Sequence, residues 1–154
     1  MTWLTSMPRI YRGMMNDGGL PRLGPNGDLL GVRAPLDAGK PDIAPDESGN
    51  VHPRTGGMSV SPRPSALPVH RIPQRLRGPT MSGARGKDRP PYTLHVWAMG
   101  QGEFTEGQIV PGLYLRIDPQ DSEHGLVEPN RIMSLEEYRQ LLDNTREQWK
   151  IDET

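Results

Sequence analysis

Residues 113–149, LYLRIDPQDSEHGLVEPNRIMSLEEYRQLLDNTREQW, hold both kinds of periodicity from which the fold is read. Leu113, Leu115 and Ile117 alternate with Tyr114, Arg116 and Asp118, the period of a strand with one apolar face. A second short strand is expected at residues 125–128. The pattern then changes. Ser134 and Glu137 stand at capping-box spacing, where hydroxyl and carboxylate each satisfy an orphaned backbone N–H, with Met133 and Tyr138 at the two staple positions. Tyr138, Leu141, Leu142, Thr145 and Trp149 recur at helical spacing and predict one buried stripe. Arg146 and Lys150 suit the negative end of the helix dipole. Short strands followed by a helix packed on their sheet define an α+β domain.

Working outward, residues 92–99 alternate Tyr92, Leu94, Val96 and Ala98 against Thr93, His95, Trp97 and Met99. Both sides are bulky, so this strand is expected to be buried on two faces. Residues 58–61 form a strand candidate directly after Gly56-Gly57, and residues 3–14 form the first strand, with Pro8 marking an irregular start. Between them, residues 16–55 are dominated by Gly, Pro, Asp and Asn. These residues form turns because Gly accepts positive φ and Asx side chains bond back to the backbone. So long a loop tract in a compact domain is read as functional.

The 154 residues fit one domain, 1–154. The 18 glycines and 17 prolines make it rich in irregular loops, and with a single Phe the packing falls to Met, Leu, Val and Ile. The absence of Cys removes disulfides, thiolate catalysis and cysteine-ligated zinc. Residues 1–10 lack a basic region followed by an apolar core, and no apolar run reaches membrane-spanning length. The expected location is the cytoplasm, or export without a cleaved signal to another cell's cytoplasm, and no membrane partner is expected. The net charge of −1 is unevenly spread. Residues 63–90 carry seven basic side chains against Asp88, a Pro/Gly/Arg-rich excursion read either as a solvated linker or as a phosphate-attracting loop.

No Walker loop, HExxH, GxSxG or dinucleotide fingerprint is present. The four histidines lack metal-ligand spacing, so no metal site is expected. Three local sequences remain. Ile10-Tyr11-Arg12-Gly13 puts an arginine, a fork for phosphate, on the first strand. Thr55-Gly56-Gly57-Met58-Ser59-Val60 puts a serine beside glycines, where backbone can approach a ligand closely. Glu123-His124-Gly125-Leu126-Val127-Glu128-Pro129 brings a histidine and two carboxylates that can steady developing positive charge. Each also admits an ordinary role: an exposed strand charge, a loop-to-strand transition, a turn bridge.

In their order along the chain these segments resemble a family of type VI secretion exported toxins with an ADP-ribosyltransferase-like fold. The similarity takes in Tyr11-Arg12, Pro41-Asp42-Ile43, Gly49, residues 53–60, His124, Pro129, Met133 and Gln148-Trp149. It implies a split β-sandwich with long irregular loops and a C-terminal helix, and an NAD-dependent ADP-ribosyltransferase or NAD glycohydrolase with NAD as substrate. Arg12, Gly57 and Ser59 then bind NAD, and Ser59 acts with His124 and Glu128 (or Glu123) in catalysis. The family often has threonine before this serine; Met58 stands there instead. The implied partners are a cognate immunity protein or antitoxin and an acceptor macromolecule. Two other readings stay open: a nucleic-acid-binding module using residues 63–90 through phosphate contacts, and a catalytically idle domain that binds a partner.

Overall fold

The computed structural model describes residues 7–73, 76 and 94–153. The start of the first expected strand, Tyr92 and Thr93, and most of the basic excursion lie outside these residues. The fold is α+β, and the described residues form two four-stranded antiparallel sheets, a two-stranded pair and one α-helix. The first sheet has the order β10-β5-β1-β2 and the second β4-β8-β7-β6, while β3 (Asn50–Val51) pairs with β9 (Met133–Ser134).

In the first sheet β1 (Ile10–Asp17) lies between β5 (Leu94–Met99) and β2 (Leu20–Pro21), with Arg12 opposite Trp97. The β1–β2 hairpin turns on Gly18 and Gly19, whose φ values of 66° and 95° suit the primed turns that match strand twist. As expected from its two bulky sides, β5 is buried on both faces. Trp97 and Met99 join the main core, whereas Val96 packs with Leu67 and Ile72 in a smaller cluster on the other face. The opening of the basic excursion is therefore packed: 3-10 turns at Pro64–Ala66 and Val69–Arg71 bring Leu67 and Ile72 down onto the first sheet.

In the second sheet β7 (Leu113–Asp118) matches its expected span, and its partner β8 (Asp121–Pro129) runs farther than the short strand foreseen at 125–128. Of the added residues, Asp121, Ser122 and Glu123 are polar and exposed, because pairing with β7 rather than burial fixes them. β6 (Gly107–Val110), which the sequence reading does not foresee, pairs with β7 and buries Ile109 in the core. β4 (Met58–Val60) adds to the other edge of β8. Among the described residues a single bridge joins the sheets: Tyr11 and Ser61 exchange both backbone hydrogen bonds, at 2.8 and 2.9 Å.

The helix α1 (Leu135–Asp143) starts at the expected cap, with Ser134 Oγ accepting from Glu137 N at 3.0 Å and Met133 and Tyr138 both buried, while the Glu137 carboxylate pairs with Arg131 and not with the cap. It ends earlier than the expected stripe. Thr145 and Trp149 are buried, but Trp149 has extended backbone (ψ 133°) after a 3-10 turn at Arg146–Gln148, and its indole N–H donates to Thr145 Oγ1 at 3.0 Å. Arg146 and Lys150 thus do not serve the helix dipole. Arg146 bonds the Pro21 carbonyl at 2.8 Å, and Lys150 opens β10 (Lys150–Ile151) on the edge of β5.

Candidate functional site

The site forms where β1 and β4 part beyond their single bridge. Alternate residues of a strand direct their backbone groups to opposite edges. Ser61 turns its N–H and C=O toward β1, so Ser59 does too, but β1 has diverged and the Ser59 carbonyl has no strand partner. Arg12 fills that gap. Its Nη1 donates to Ser59 O at 2.6 Å, its Nε and Nη2 donate to Leu29 O at 3.1 and 2.9 Å, and Nη2 also reaches Asn26 O and Gly31 O. The guanidinium is buried, and it clamps the 26–31 loop to the strand seam. Desolvation, and then the charge of Arg71, bring its pKa down to about 10, against opposing pulls from Asp42 and Asp28, so it stays cationic at neutral pH.

Above this clamp lies a cavity of about 190 Å³ lined by Arg12, Gly13, Arg33, Asp42, Ser59, Arg71 and His124, among others. Ser59 opposes Leu126 in the β4–β8 register, so His124, two residues along, is its diagonal neighbour on the same face. The two side chains meet: His124 Nε2 is 3.3 Å from Ser59 Oγ. On its other side His124 Nδ1 is 3.6 Å from Asp118 Oδ2, at the end of β7. The residue before Ser59 points the opposite way, and Met58 is buried in the core, so the position where threonine is common in the resembled family does not face this cavity.

Glu128 stands apart from this group. It shares a face of β8 with His124 but lies four residues on, roughly 13 Å along the strand, with Leu126 between. It is buried, accepting from Arg116 Nε at 2.8 Å and from Arg54 N at 3.1 Å, where Arg54 holds a left-handed φ of 67°. It lines a different cavity, of about 320 Å³, with Arg54, Glu106 and Arg116. Glu123 is exposed and pairs with Arg63. Gly57 lies beneath the site without opening onto it: its α-carbon packs on the β8 backbone, where a Cβ would collide with the Val127 carbonyl.

Sequence reasoning missed Arg33 and Asp118, and met Asp42 only within the resemblance and Arg71 only as one of the excursion's basic residues. Asp118 was within reach, because a hairpin joining the strands at 113–118 and 125–128 sets it beside His124. The other three sit on loops and a 3-10 turn whose paths no periodicity reveals. Of the excursion's basic residues, Arg71 reaches this cavity and Arg63 the Glu123 pair, while Arg75, Arg77, Arg85, Lys87 and Arg89 lie outside the described residues. Among the described residues no group of three metal-ligating side chains converges, and no helix is long and apolar enough to cross a membrane. No protein-family model matches the chain, and no curated protein matches its sequence.

Proposed function

We propose that this protein is an NAD-consuming toxin of the ADP-ribosyltransferase-like class, acting in the cytosol of a target cell and neutralised by an inhibitor that plugs the cleft. The observation that carries this reading is the meeting of Ser59 and His124 across β4 and β8, 3.3 Å apart, in a cleft where two sheets diverge. In the proposed reaction the bond from the ribose C1′ to nicotinamide breaks, and nicotinamide leaves with the bonding pair. Ser59 Oγ hydrogen-bonds a ribose hydroxyl, the electron-rich edge of His124 and the carboxylate of Asp42 steady the oxocarbenium-like charge, and an acceptor hydroxyl or water forms the new bond to C1′ as it gives up its proton. His124 Nε2 receives that proton. Glu128 enters this scheme only through the fold, by holding the 54–57 turn that leads into Ser59. The cavity is smaller than the roughly 300 Å³ at which ligand pockets begin, so NAD enters only in part, with the nicotinamide ribose and the diphosphate toward the cavity and the adenosine end along the open rim.

The idle-domain reading is favoured by one specific observation: Arg12, the expected phosphate ligand, donates to four backbone carbonyls. Incubating purified protein with NAD separates the two. Release of nicotinamide that is lost in Ser59→Ala and His124→Ala supports the enzyme; a stable inhibitor complex without NAD turnover supports the idle domain.

A further inference from the structure

Three guanidinium groups, those of Arg12, Arg33 and Arg71, line the cavity beside Ser59 and His124. They differ in how their donors are used. Arg12 is engaged through all three nitrogens. Arg33 donates no side-chain hydrogen bond to the described residues; its Nε is buried and unpartnered, and its nearest carboxylate, Asp42 Oδ2, is 3.8 Å away and already accepts from Arg33 N at 2.8 Å. Arg71 has an equally unpartnered buried Nε and one ion pair, from Nη1 to Asp28 at 3.2 Å. A guanidinium carries five donors in a planar fork; in both residues the Nε is buried without a partner, while the side chains as a whole are partly exposed, at 23% and 19%.

Arg71 is also held firmly. Its main chain crosses Gly13 of β1 so closely that a Cβ there would lie 2.5 Å from the Arg71 carbonyl, and its guanidinium lies over Gly27. Two glycines therefore admit this side chain to the cavity wall. Its charge is near enough to Arg12 to make a second cation there unfavourable, a repulsion that an anion between them relieves.

We infer that Arg33 and Arg71 form an anion-binding pair across this cavity, with Arg12 as its clamp, and that the ligand is a compact diphosphate. Fork geometry suits the oxygens of a phosphate group, which a guanidinium can take two at a time. The cavity's volume of about 190 Å³ suits a diphosphate, which we favour over the backbone of a polymer. This site stands without the NAD reading and extends it, because a dinucleotide's diphosphate would be the natural occupant.

Isothermal titration of the full chain with inorganic pyrophosphate tests the pair. The wild type should bind, more weakly as salt rises, and Arg33→Gln and Arg71→Gln should each lower the affinity at least tenfold. Arg33→Gln is the decisive variant, since that side chain makes no hydrogen bond to lose and its melting temperature should match the wild type. Arg71→Lys, which keeps the charge without the fork, should retain an intermediate affinity. No pyrophosphate binding by the wild type, or unchanged binding in Arg33→Gln, overturns the inference. So does a single-stranded oligonucleotide that binds more tightly than pyrophosphate and depends on Arg33. Pyrophosphate binding without NAD turnover would uphold this site while sinking the proposed enzyme.

Discussion

Replacing Arg12 by Met keeps most of its apolar stem and deletes the clamp. Four carbonyls, at Asn26, Leu29, Gly31 and Ser59, then lose a cationic donor in a buried place. A buried polar group left unpaired costs about 1–3 kcal/mol, but the loop can shift and admit water to some of the four. The net loss should therefore be about 3–5 kcal/mol, the range for breaking a buried charged network. That is a large part of the 5–15 kcal/mol that stabilises a typical domain. For a chain of this size it corresponds to a fall of roughly 6–20 °C in Tm. Thermal unfolding by circular dichroism gives the shift, and hydrogen exchange should show protection lost first at Met15 N and Leu30 N, which the 22–30 loop ties down. A mutant melting within about 2 °C of the wild type, with exchange unchanged, would refute the clamp.

Trp149→Ala should cost roughly 3–5 kcal/mol, because Trp149 is fully buried and its indole N–H is satisfied by Thr145; unchanged urea unfolding would contradict that packing. The 46–52 turn should loosen in acid. Asp46 is held below its usual carboxylate range, first by His52 and then by the N–H groups of Asn50 and Ser48. The contribution is thus present above the ordinary value of 3.8 and is lost as pH falls through the lower folded value, so amide signals of Ser48 and Asn50 should shift below pH 3.8.

What the sequence reveals here follows how locally each feature is determined. The strand at 113–118 and the N-terminus of α1 need only an alternation and a cap, and both are read where they occur. The end of α1 is lost because Trp149 keeps helical spacing from Tyr138 and Leu142 while reaching the core from extended backbone. The outer part of β8 is lost because polar residues enter the strand there through pairing with β7, and β6 is lost because its four residues, Gly-Gln-Ile-Val, are too short to show an alternation. At the site, Ser59 and His124 are legible as residues, and their meeting follows only from the β4–β8 register. Arg12 looks like a free fork in sequence because nothing local tells that the 26–31 loop folds back and presents its carbonyls. The pairing of Glu128 with Arg116 was within reach of the same β7–β8 hairpin that sets Asp118 beside His124.

The most direct test of the proposed function is nicotinamide release from NAD by the purified protein, read by chromatography for the wild type, Ser59→Ala, His124→Ala and the double variant. The proposal predicts turnover by the wild type and loss in either single variant at an unchanged Tm. It also predicts little further loss in the double variant, since groups acting as one unit lose most activity with the first deletion. A wild type that releases no nicotinamide, or a double variant as active as the wild type, would contradict it.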